Sequence, residues 1–431
     1  MKRNMILMMA VLLALCWYST VGTWMSSESN YQTAMANAES FEERELYLDA
    51  IEEYESAMQY RKDTSEVMLR IAYDYRSLGD RDSYLSQLQS IVSQYGPKAD
   101  VLNEIYEHYV SEDDTEEAIE YISGLKSSYP DDAAVDQYYQ EIRKDYYELY
   151  HSYQLIGSYL GDYAVYEYEG KKGIIDTAGE IVLQAAYDEI EVPLQATDGF
   201  PVRVGEETYV ISEKGYKIAQ PAENYEKLGI LSGNRILAKQ SGKYGYLNSD
   251  LEKITDFVWD DATNFSNKIA AVKQGEKWAL IDSKGELLTD YIYTDVKRDA
   301  HNFCSRYGLL WVNEGKGYSL IDTELEPVGD VLYEDAKCFY EEGGAAVYQN
   351  GKWGFADRQG QLVVPYTFDD ADSFRIGYAP VKLGGLWGYA GEDGTILIDY
   401  AFDEALGFNG SGTAPVKRGE AWELIKLGIY E

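Results

Sequence analysis

One short phrase recurs through the second half of the chain at a nearly constant spacing. Its clearest copies are GKYGYLNSDLE at Gly242, GEKWALIDSKGE at Gly275, NGKWGFADRQGQ at Asn350 and GLWGYAGEDGT at Gly385. Weaker copies begin at Glu169, Glu206, Gly315 and Glu420. The position held by Lys172 in the first copy and by Trp422 in the last recurs at intervals of 34 to 40 residues. Because a unit of this length cannot bury its own apolar faces, the period predicts repeats that stack on one another.

Each copy has the pattern of a small β-meander. In the copy at Asn350, residues 352–357 and 361–365 are rich in β-branched and aromatic residues and are separated by a short turn. Residues 378–382 give a third strand of the same kind after a bend. Such runs, bounded by Gly, Asp and Asn, are typical of antiparallel strands. The sequence therefore predicts an all-β domain over residues 158–431.

One position of the phrase is aromatic in most copies, and in several a glycine follows it. The residues with this signature are Tyr244, Gly245, Trp278, Tyr318, Trp353, Gly354, Trp387, Gly388 and Trp422. At these residues the chain resembles the WG-repeat family, named for the Trp-Gly pair that is intact at 353–354 and 387–388. Ala279, Ser319 and Glu423 replace the glycine in other copies. The resemblance implies an interaction role in the bacterial cell envelope, and we interpret the signature residues as structural.

The ends of the β region contain pieces of an incomplete repeat. A lone strand at residues 163–168 precedes the first unit, and a lone hairpin at residues 422–428 follows the last one. If these two pieces pair, the units close into a ring and expose fewer strand edges. We therefore predict a β-propeller of seven or eight blades. The alternative is an open β-superhelix.

The region before the β repeats has a helical period. Segments beginning at Leu48, Asp82 and Glu116 align with intervals of 34 residues, and Ala50, Tyr84 and Ala118 share one phase. Apolar residues within each segment recur with helical spacing. The pattern resembles the tetratricopeptide repeat, which implies an α-solenoid over residues 27–157. Its many tyrosines either pack the helix pairs or line an acidic groove for a peptide.

The first 26 residues predict a membrane anchor. Lys2 and Arg3 precede 21 uncharged residues from Met5 to Met25, which is close to the ~20 that span a bilayer as a helix. The positive end should stay in the cytoplasm. We therefore expect a single-pass protein of the cell membrane with extracytoplasmic repeat domains. Signal cleavage, which yields a secreted protein, and lipidation at Cys16 are the alternatives.

The composition restricts the chemistry. The formal charge of −37 argues against a nucleic-acid partner, since like charges repel. The chain has three histidines and three cysteines, and no catalytic, phosphate-binding or calcium motif occurs in it. Repeating acids at Asp176, Asp282, Asp322 and Asp357 precede turns, where aspartate accepts backbone N–H bonds. We predict no catalytic residue, no metal and no cofactor.

The sequence therefore favours a non-enzymatic scaffold that binds a protein or peptide, tethered to the membrane by its N-terminal helix. A module that binds cell-wall glycan is the first alternative, and a hydrolase with an unrecognised acidic site is the second. Signature rings buried between units would favour the scaffold, while a row of exposed rings would favour glycan binding. Two carboxylates that converge in one cleft would favour the hydrolase.

Overall fold

The computed structural model describes residues 26–112, 115–340 and 343–430. The chain forms two compact units that divide between Ile142 and Arg143. The first unit consists of α-helices, and the second is an eight-bladed β-propeller in the part of the chain that the structure describes. Propeller closure was predicted in preference to the open superhelix, and the fold confirms it.

The helical unit is a series of short helices joined by tight turns. The described part of α1 covers residues 26–42. The following helices are α2 (Tyr47–Met58), α3 (Ser65–Leu78), α4 (Arg81–Tyr95), α5 (Ala99–Glu112), α6 (Thr115–Ser128) and α7 (Ala133–Ile142). Asp80 caps α4 by accepting the Ser83 N–H at 3.1 Å, which satisfies one of the free amides at the helix start. Ala50, Tyr84 and Ala118, which share one phase of the predicted repeat, are all buried.

The propeller contains eight antiparallel sheets, and β1 (Tyr146–Tyr153) belongs to the last of them. Blade 1 comprises β2 (Leu155–Ile156), β3 (Ala164–Tyr168), β4 (Lys171–Ile175) and β5 (Ile181–Tyr187). Blade 2 comprises β6 (Glu189–Ile190), β7 (Phe200–Val204), β8 (Glu207–Ile211) and β9 (Lys217–Ala219). Blade 3 comprises β10 (Lys227–Ser232), β11 (Arg235–Gln240) and β12 (Lys243–Leu247). Blade 4 comprises β13 (Asp261–Ala262), β14 (Ile269–Gln274) and β15 (Lys277–Asp282).

The second half of the ring repeats this arrangement. Blade 5 comprises β16 (Asp295–Val296), β17 (Leu309–Asn313) and β18 (Tyr318–Asp322). Blade 6 comprises β19 (Asp335–Ala336), β20 (Ala345–Gln349), β21 (Lys352–Ala356) and β22 (Leu362–Phe368). Blade 7 comprises β23 (Asp370–Ala371), β24 (Ala379–Leu383), β25 (Leu386–Ala390) and β26 (Ile396–Phe402). Blade 8 comprises β27 (Glu404–Ala405), β28 (Thr413–Arg418), β29 (Ala421–Leu427) and β1 (Tyr146–Tyr153).

The ring closes through a different strand from the one predicted. β1 pairs antiparallel with β29, so blade 8 is built from both ends of the unit. Residues 163–168, the predicted partner of the C-terminal hairpin, instead contribute β3 to blade 1. Residues 143–157, which we had assigned to the helical region, therefore lie in the propeller unit. The segment YYELYHSY in β1 alternates between half-buried and exposed side chains, a period of two that its Glu- and Tyr-rich composition concealed.

The predicted single-pass membrane localisation is wrong for the part of the chain that the structure describes. In residues 26–112, 115–340 and 343–430 no helix is long and apolar enough to cross a membrane. The anchor had been assigned to residues 1–26, of which all but Ser26 lie outside the described residues.

The acids that precede the turns of the repeat act as predicted. The Asp282 carboxylate accepts the backbone N–H groups of Lys284 at 2.8 Å and Glu286 at 2.9 Å. The same pair of bonds, to the second and fourth residues after the aspartate, is made by Asp176, Asp322 and Asp357. These side chains fix the turn that follows the third strand in blades 1, 4, 5 and 6, and the prediction of turn formation at these residues is confirmed.

A second set of acids links each blade to the next. Lys243 of blade 3 lies 2.5 Å from the carboxylate of Asp260, which also accepts the Gly275 N–H of blade 4 at 2.8 Å. The Lys243 ammonium and then the Gly275 amide hold the pKa of Asp260 below its usual range. Asp188 and Asp369 make the same contacts at two other junctions. The contact is exposed to solvent, so it contributes more to register than to stability.

The glycine of the Trp-Gly pair allows two strands to approach closely. A Cβ atom at Gly354 on β21 would lie 2.5 Å from the carbonyl oxygen of Val364 on β22, closer than any real carbon contact. Gly388 has the same relation to Ile398 in the next blade, again at 2.5 Å. The glycine is therefore needed because the fourth strand lies directly over it.

Replacing Gly354 by alanine should destabilise the propeller by about 1–3 kcal/mol, because the new methyl group overlaps a backbone carbonyl that cannot rotate away. Chemical denaturation followed by tryptophan fluorescence measures the loss. Gly410→Ala is the control, since a Cβ at Gly410 meets nothing within 4 Å. Equal stability of the two variants would contradict the steric explanation.

The helical unit contains a buried carboxyl group. Asp74 on α3 is 3% exposed, and its Oδ2 has no hydrogen-bond partner among the described residues. Burial, and to a lesser extent the Glu42 carboxylate, raises the pKa of Asp74 to about 7. The folded chain therefore holds a proton on Asp74 at pH values where the unfolded chain has lost it.

This shift sets the sign of a pH dependence. When folding raises the pKa of an acid, the fold loses stability as the pH rises from the pKa of the unfolded chain, about 4, to the pKa of the folded chain. Asp74→Asn should therefore gain roughly 1–3 kcal/mol over the parent at pH 8, and less at pH 5. Thermal unfolding followed by helical circular dichroism at both pH values tests this. A gain that is the same at both would show that ionisation of Asp74 is not its cause.

Candidate functional site

Closure of the ring produces a large groove of about 1130 Å³ between blades 8 and 1. We call it the closure groove. Its lining consists of residues 151–154, 166–169, 171, 179–181, 184, 185, 420 and 421. These residues come from the end of β1, the β3–β4 hairpin, β5 with the turn before it, and the β28–β29 hairpin.

The floor of the groove joins the two blades. The Tyr153 hydroxyl donates to the Gly179 carbonyl oxygen at 2.5 Å, and its ring meets that of Tyr166 edge-on at 5.9 Å. Burial, followed by the Glu180 and Asp176 carboxylates, raises the pKa of Tyr153, so this phenol remains a donor at neutral pH. Below the groove, the Thr413 hydroxyl of blade 8 donates to the Thr177 carbonyl of blade 1 at 2.8 Å.

Gly179 is required at this junction for two reasons. Its φ of +83° lies in the left-handed region, which other residues adopt at a cost. A Cβ there would also lie 2.7 Å from Cδ2 of His151 and 3.0 Å from the Tyr153 hydroxyl. The turn before β5 therefore fits against β1 only because this residue has no side chain.

An irregularity in β1 shapes the outer wall. Its pairing with β29 shifts register between Leu149 and Ser152, which marks a β-bulge. Within the bulge, Tyr150 is 99% exposed, while His151 lines the groove. His151 Nε2 lies 3.8 Å from Oε1 of Glu180 on the opposite wall.

The groove is acidic. Four of its lining residues are glutamates, at positions 167, 169, 180 and 420, and the last three are exposed. The single lysine in the lining, Lys171, lies 2.5 Å from the Asp188 carboxylate and is neutralised by it. Between the acids, Tyr168 and Ile181 expose about half of their surface, 53% and 46%. The lining thus combines negative charge with accessible apolar surface.

The signature residues of the repeat lie elsewhere, on the third strand of each blade. Trp278, Tyr318, Trp353 and Trp422 are buried, and Tyr244 and Trp387 are half-buried. Gly245, Gly354 and Gly388 are buried beside them. None of the nine lines the closure groove. Signature rings that are buried between units were expected for a scaffold, and a row of exposed rings for a glycan-binding module. The burial of these rings therefore favours the scaffold.

The sequence did not reveal the groove. Its walls come from segments near residues 151, 168, 180 and 420, which the ring alone brings together. The period-two pattern of YYELYHSY was the one signal that could have identified its first wall.

The described residues show neither a metal cluster nor an exposed thiol. No group of three or more His, Cys, Asp or Glu side chains in them is placed to hold a metal ion. Cys304 and Cys338 are buried and are not joined by a disulfide. Burial raises the pKa of the Cys304 thiol to about 11, which keeps it protonated and unreactive at neutral pH.

Comparison with known proteins identifies the repeat. The family model described as WG containing repeat matches residues 173–193, 244–278, 318–353, 353–387 and 387–422. The match to this repeat is therefore shown for these five stretches of the propeller unit. No curated protein sequence matches the chain.

Several solved structures have a similar chain path. A crystal structure of a eukaryotic initiation factor is 13% identical, with a TM-score of 0.43, over 64% of this chain and 85% of its own. The AfRom2 CNH domain is 9% identical, with a TM-score of 0.35, over 66% of this chain and 99% of its own. BBS1N in complex with ARL6DN is 13% identical, with a TM-score of 0.33, over 65% of this chain and 96% of its own. At these scores the similarity says nothing about function.

Gly179→Ala should weaken ring closure. Alanine at a positive φ costs about 1 kcal/mol, and the overlap with His151 and Tyr153 should add roughly 1–3 kcal/mol. Gly215→Ala is a matched control, because Gly215 occupies the same turn in blade 2 with a φ of +78° and has its nearest contact at 3.8 Å. Thermal unfolding of the two variants separates backbone strain from the closure contact. If both melt at the same temperature, the contact at Gly179 does not stabilise closure.

Proposed function

We propose that this chain is a non-enzymatic interaction scaffold whose propeller binds an extended, basic peptide segment of a partner protein. The closure groove is the binding site. The observation that carries the proposal is the combination, in one open groove of about 1130 Å³, of unneutralised glutamates with half-exposed Tyr168 and Ile181. The WG-containing repeats form the frame that holds the groove open.

The shape of the groove fits an extended segment. Its volume exceeds the ~300–1,000 Å³ of small-molecule pockets. β1 and β5 are the edge strands of blades 8 and 1, so each presents unpaired backbone groups along its outer side. A peptide in extended conformation can hydrogen-bond to such an edge while its alternate side chains enter the groove.

The charge of the groove selects a basic partner. Glu169, Glu180 and Glu420 surround the opening, and no lysine or arginine in the lining balances them except Lys171, which is paired with Asp188. The formal charge of −37 over the whole chain also attracts cations at long range and accelerates encounter. A partner segment rich in lysine or arginine satisfies both features.

The absence of catalysis is part of the same proposal. The repeated aromatic and glycine residues are used in packing, and the repeated aspartates are used in turns and blade junctions. Repeat propellers with this division of roles are well suited to binding, because the residues outside the frame are free to vary.

We extend the proposal to the helical unit, which we regard as tetratricopeptide-like. The burial of Ala50, Tyr84 and Ala118 in one repeated phase supports this assignment. Tyr84 bonds to Glu104 on the next helix, so this tyrosine serves the packing of helices rather than a peptide groove. The helical unit would then act as a spacer or second docking module of the scaffold.

A charge-reversal experiment tests the site. The probe is a fluorescently labelled peptide of alternating lysine and valine, titrated with the full chain and followed by anisotropy. Glu180→Lys with Glu420→Lys should weaken binding at least about tenfold, since two attractive charges become repulsive. The control is Glu276→Lys with Glu286→Lys, which changes the corresponding hairpin and turn positions of blade 4. The two double variants have the same net charge.

The control should bind within about twofold of the parent protein at the same ionic strength. Equal weakening by both double variants would mean that the peptide responds to overall charge, and the closure groove would be wrong as the site. Failure of the parent protein to bind the basic peptide, or equal binding of a glutamate–valine peptide, would overturn the proposal itself.

A further inference from the structure

A second, smaller cavity lies where five of the eight blades meet. Its volume is about 210 Å³, and its lining comes from blades 1, 5, 6, 7 and 8. Segments so distant along the chain approach one another only near the axis of the ring. We call it the central cavity. It shares no lining residue with the closure groove.

Arg375 lines this cavity and has one unused hydrogen-bond donor. Its Nη1 donates to the Tyr159 carbonyl oxygen at 3.2 Å, and its guanidinium carbon lies 3.8 Å from the centre of the Tyr340 ring. Its buried Nε has no hydrogen-bond partner among the described residues. Nε and Nη2 form one edge of a guanidinium, which is the edge that binds a carboxylate with two parallel bonds.

The charge of Arg375 is not neutralised by direct contact. Arg306, the other arginine of the cavity, lies 3.3 Å from the carboxylate of Asp299. For Arg375, no carboxylate of the described residues lies within 4.0 Å. Asp372 is the nearest acid in sequence, and its Oδ1 accepts the Ser373 N–H at 2.8 Å. Burial raises the pKa of Asp372, while the Arg375 charge acts in the opposite direction, so this carboxyl is a weak counter-ion at a distance.

Asn409 adds a second unused donor. This residue is 5% exposed and lines the cavity. Its Oδ1 accepts the backbone N–H groups of Ser411 at 3.0 Å and Thr413 at 2.9 Å, so the identity of the amide oxygen is fixed by its partners. Its Nδ2 is therefore a buried N–H donor, and it has no partner among the described residues. Buried donors are almost always satisfied, so two on one cavity point to an acceptor bound there.

We propose that the central cavity binds a small organic carboxylate. The carboxylate would accept from the Nε edge of Arg375 and from Nδ2 of Asn409, and a short apolar chain would contact Phe408 and Ile376 in the same lining. The volume is below the ~300 Å³ at which pockets for larger ligands begin, which limits the ligand to a few carbon atoms. One guanidinium edge and one amide match a planar monoanion better than a phosphate, which offers more acceptors and more charge.

The test uses butyrate as the probe and the full chain as the protein. Thermal unfolding in increasing butyrate should raise Tm in proportion to occupancy, because the ligand binds the folded state alone. Butyramide, which has the same shape without the charge, should give at least a tenfold weaker effect, and inorganic phosphate should give none. No stabilisation by butyrate at about 50 mM, or equal stabilisation by butyramide or phosphate, would overturn the assignment.

A substitution at Asn409 isolates the donor without loss of the turn. Asn409→Asp keeps the Oδ1 acceptor but replaces the N–H donor by an oxygen that repels carboxylates and pairs with Arg375. This variant should melt at or above the parent temperature and bind butyrate at least tenfold more weakly. Asn248→Asp is the control for butyrate binding, since Asn248 accepts the same two backbone bonds in blade 3, from Asp250 and Glu252, although its Nδ2 donates to the Glu252 carboxylate. If Asn409→Asp binds butyrate as the control does, the central cavity is not the site.

Discussion

The pairing of β1 with β29 is the contact on which the propeller depends. It joins residues 146–153 to residues 422–427 and makes the eighth blade from both ends of the unit. Without it, blades 1 and 8 would each expose an unprotected side, and the stack would be an open array whose stability is a sum over neighbours. Both cavities discussed above also require it, because each is lined by residues that only a closed ring brings together.

Inside the ring, a small set of contacts that recur with the sequence period shapes each blade and joins it to the next. An aspartate closes the turn after the third strand, a second one bridges a lysine and a hairpin amide of successive blades, and a glycine admits the fourth strand. Each contact spans fewer than 20 residues. Local contacts of this kind are visible in a sequence, which is why the repeat, the strands and the roles of Asp282 and its equivalents could be predicted.

The features that could not be predicted are contacts between residues that lie far apart in the sequence and meet only in the closed ring. β1 was placed with the helices, because its tyrosines and glutamates continue the composition of the region before it. Arg375 and Asn409 each follow a phenylalanine of the repeat, Phe374 or Phe408, and lie 34 residues apart, so the period places them in neighbouring blades. The period does not show that their side chains line one cavity, because the residue type at this position changes from blade to blade. The signature residues, in contrast, are buried in the frame and lie outside both cavities.

The position of β1 also has a consequence for how the protein is made. A ribosome completes β1 before it has begun blade 1, yet the partner strand β29 is among the last segments to appear. Domains fold as they emerge, so seven blades can stack while β1 still has a free edge. The entropic cost of joining β1 to β29 arises after synthesis of β29. Because nearly all the intervening chain is ordered by then, that cost is reduced. Folding of this propeller therefore ends at its first strand.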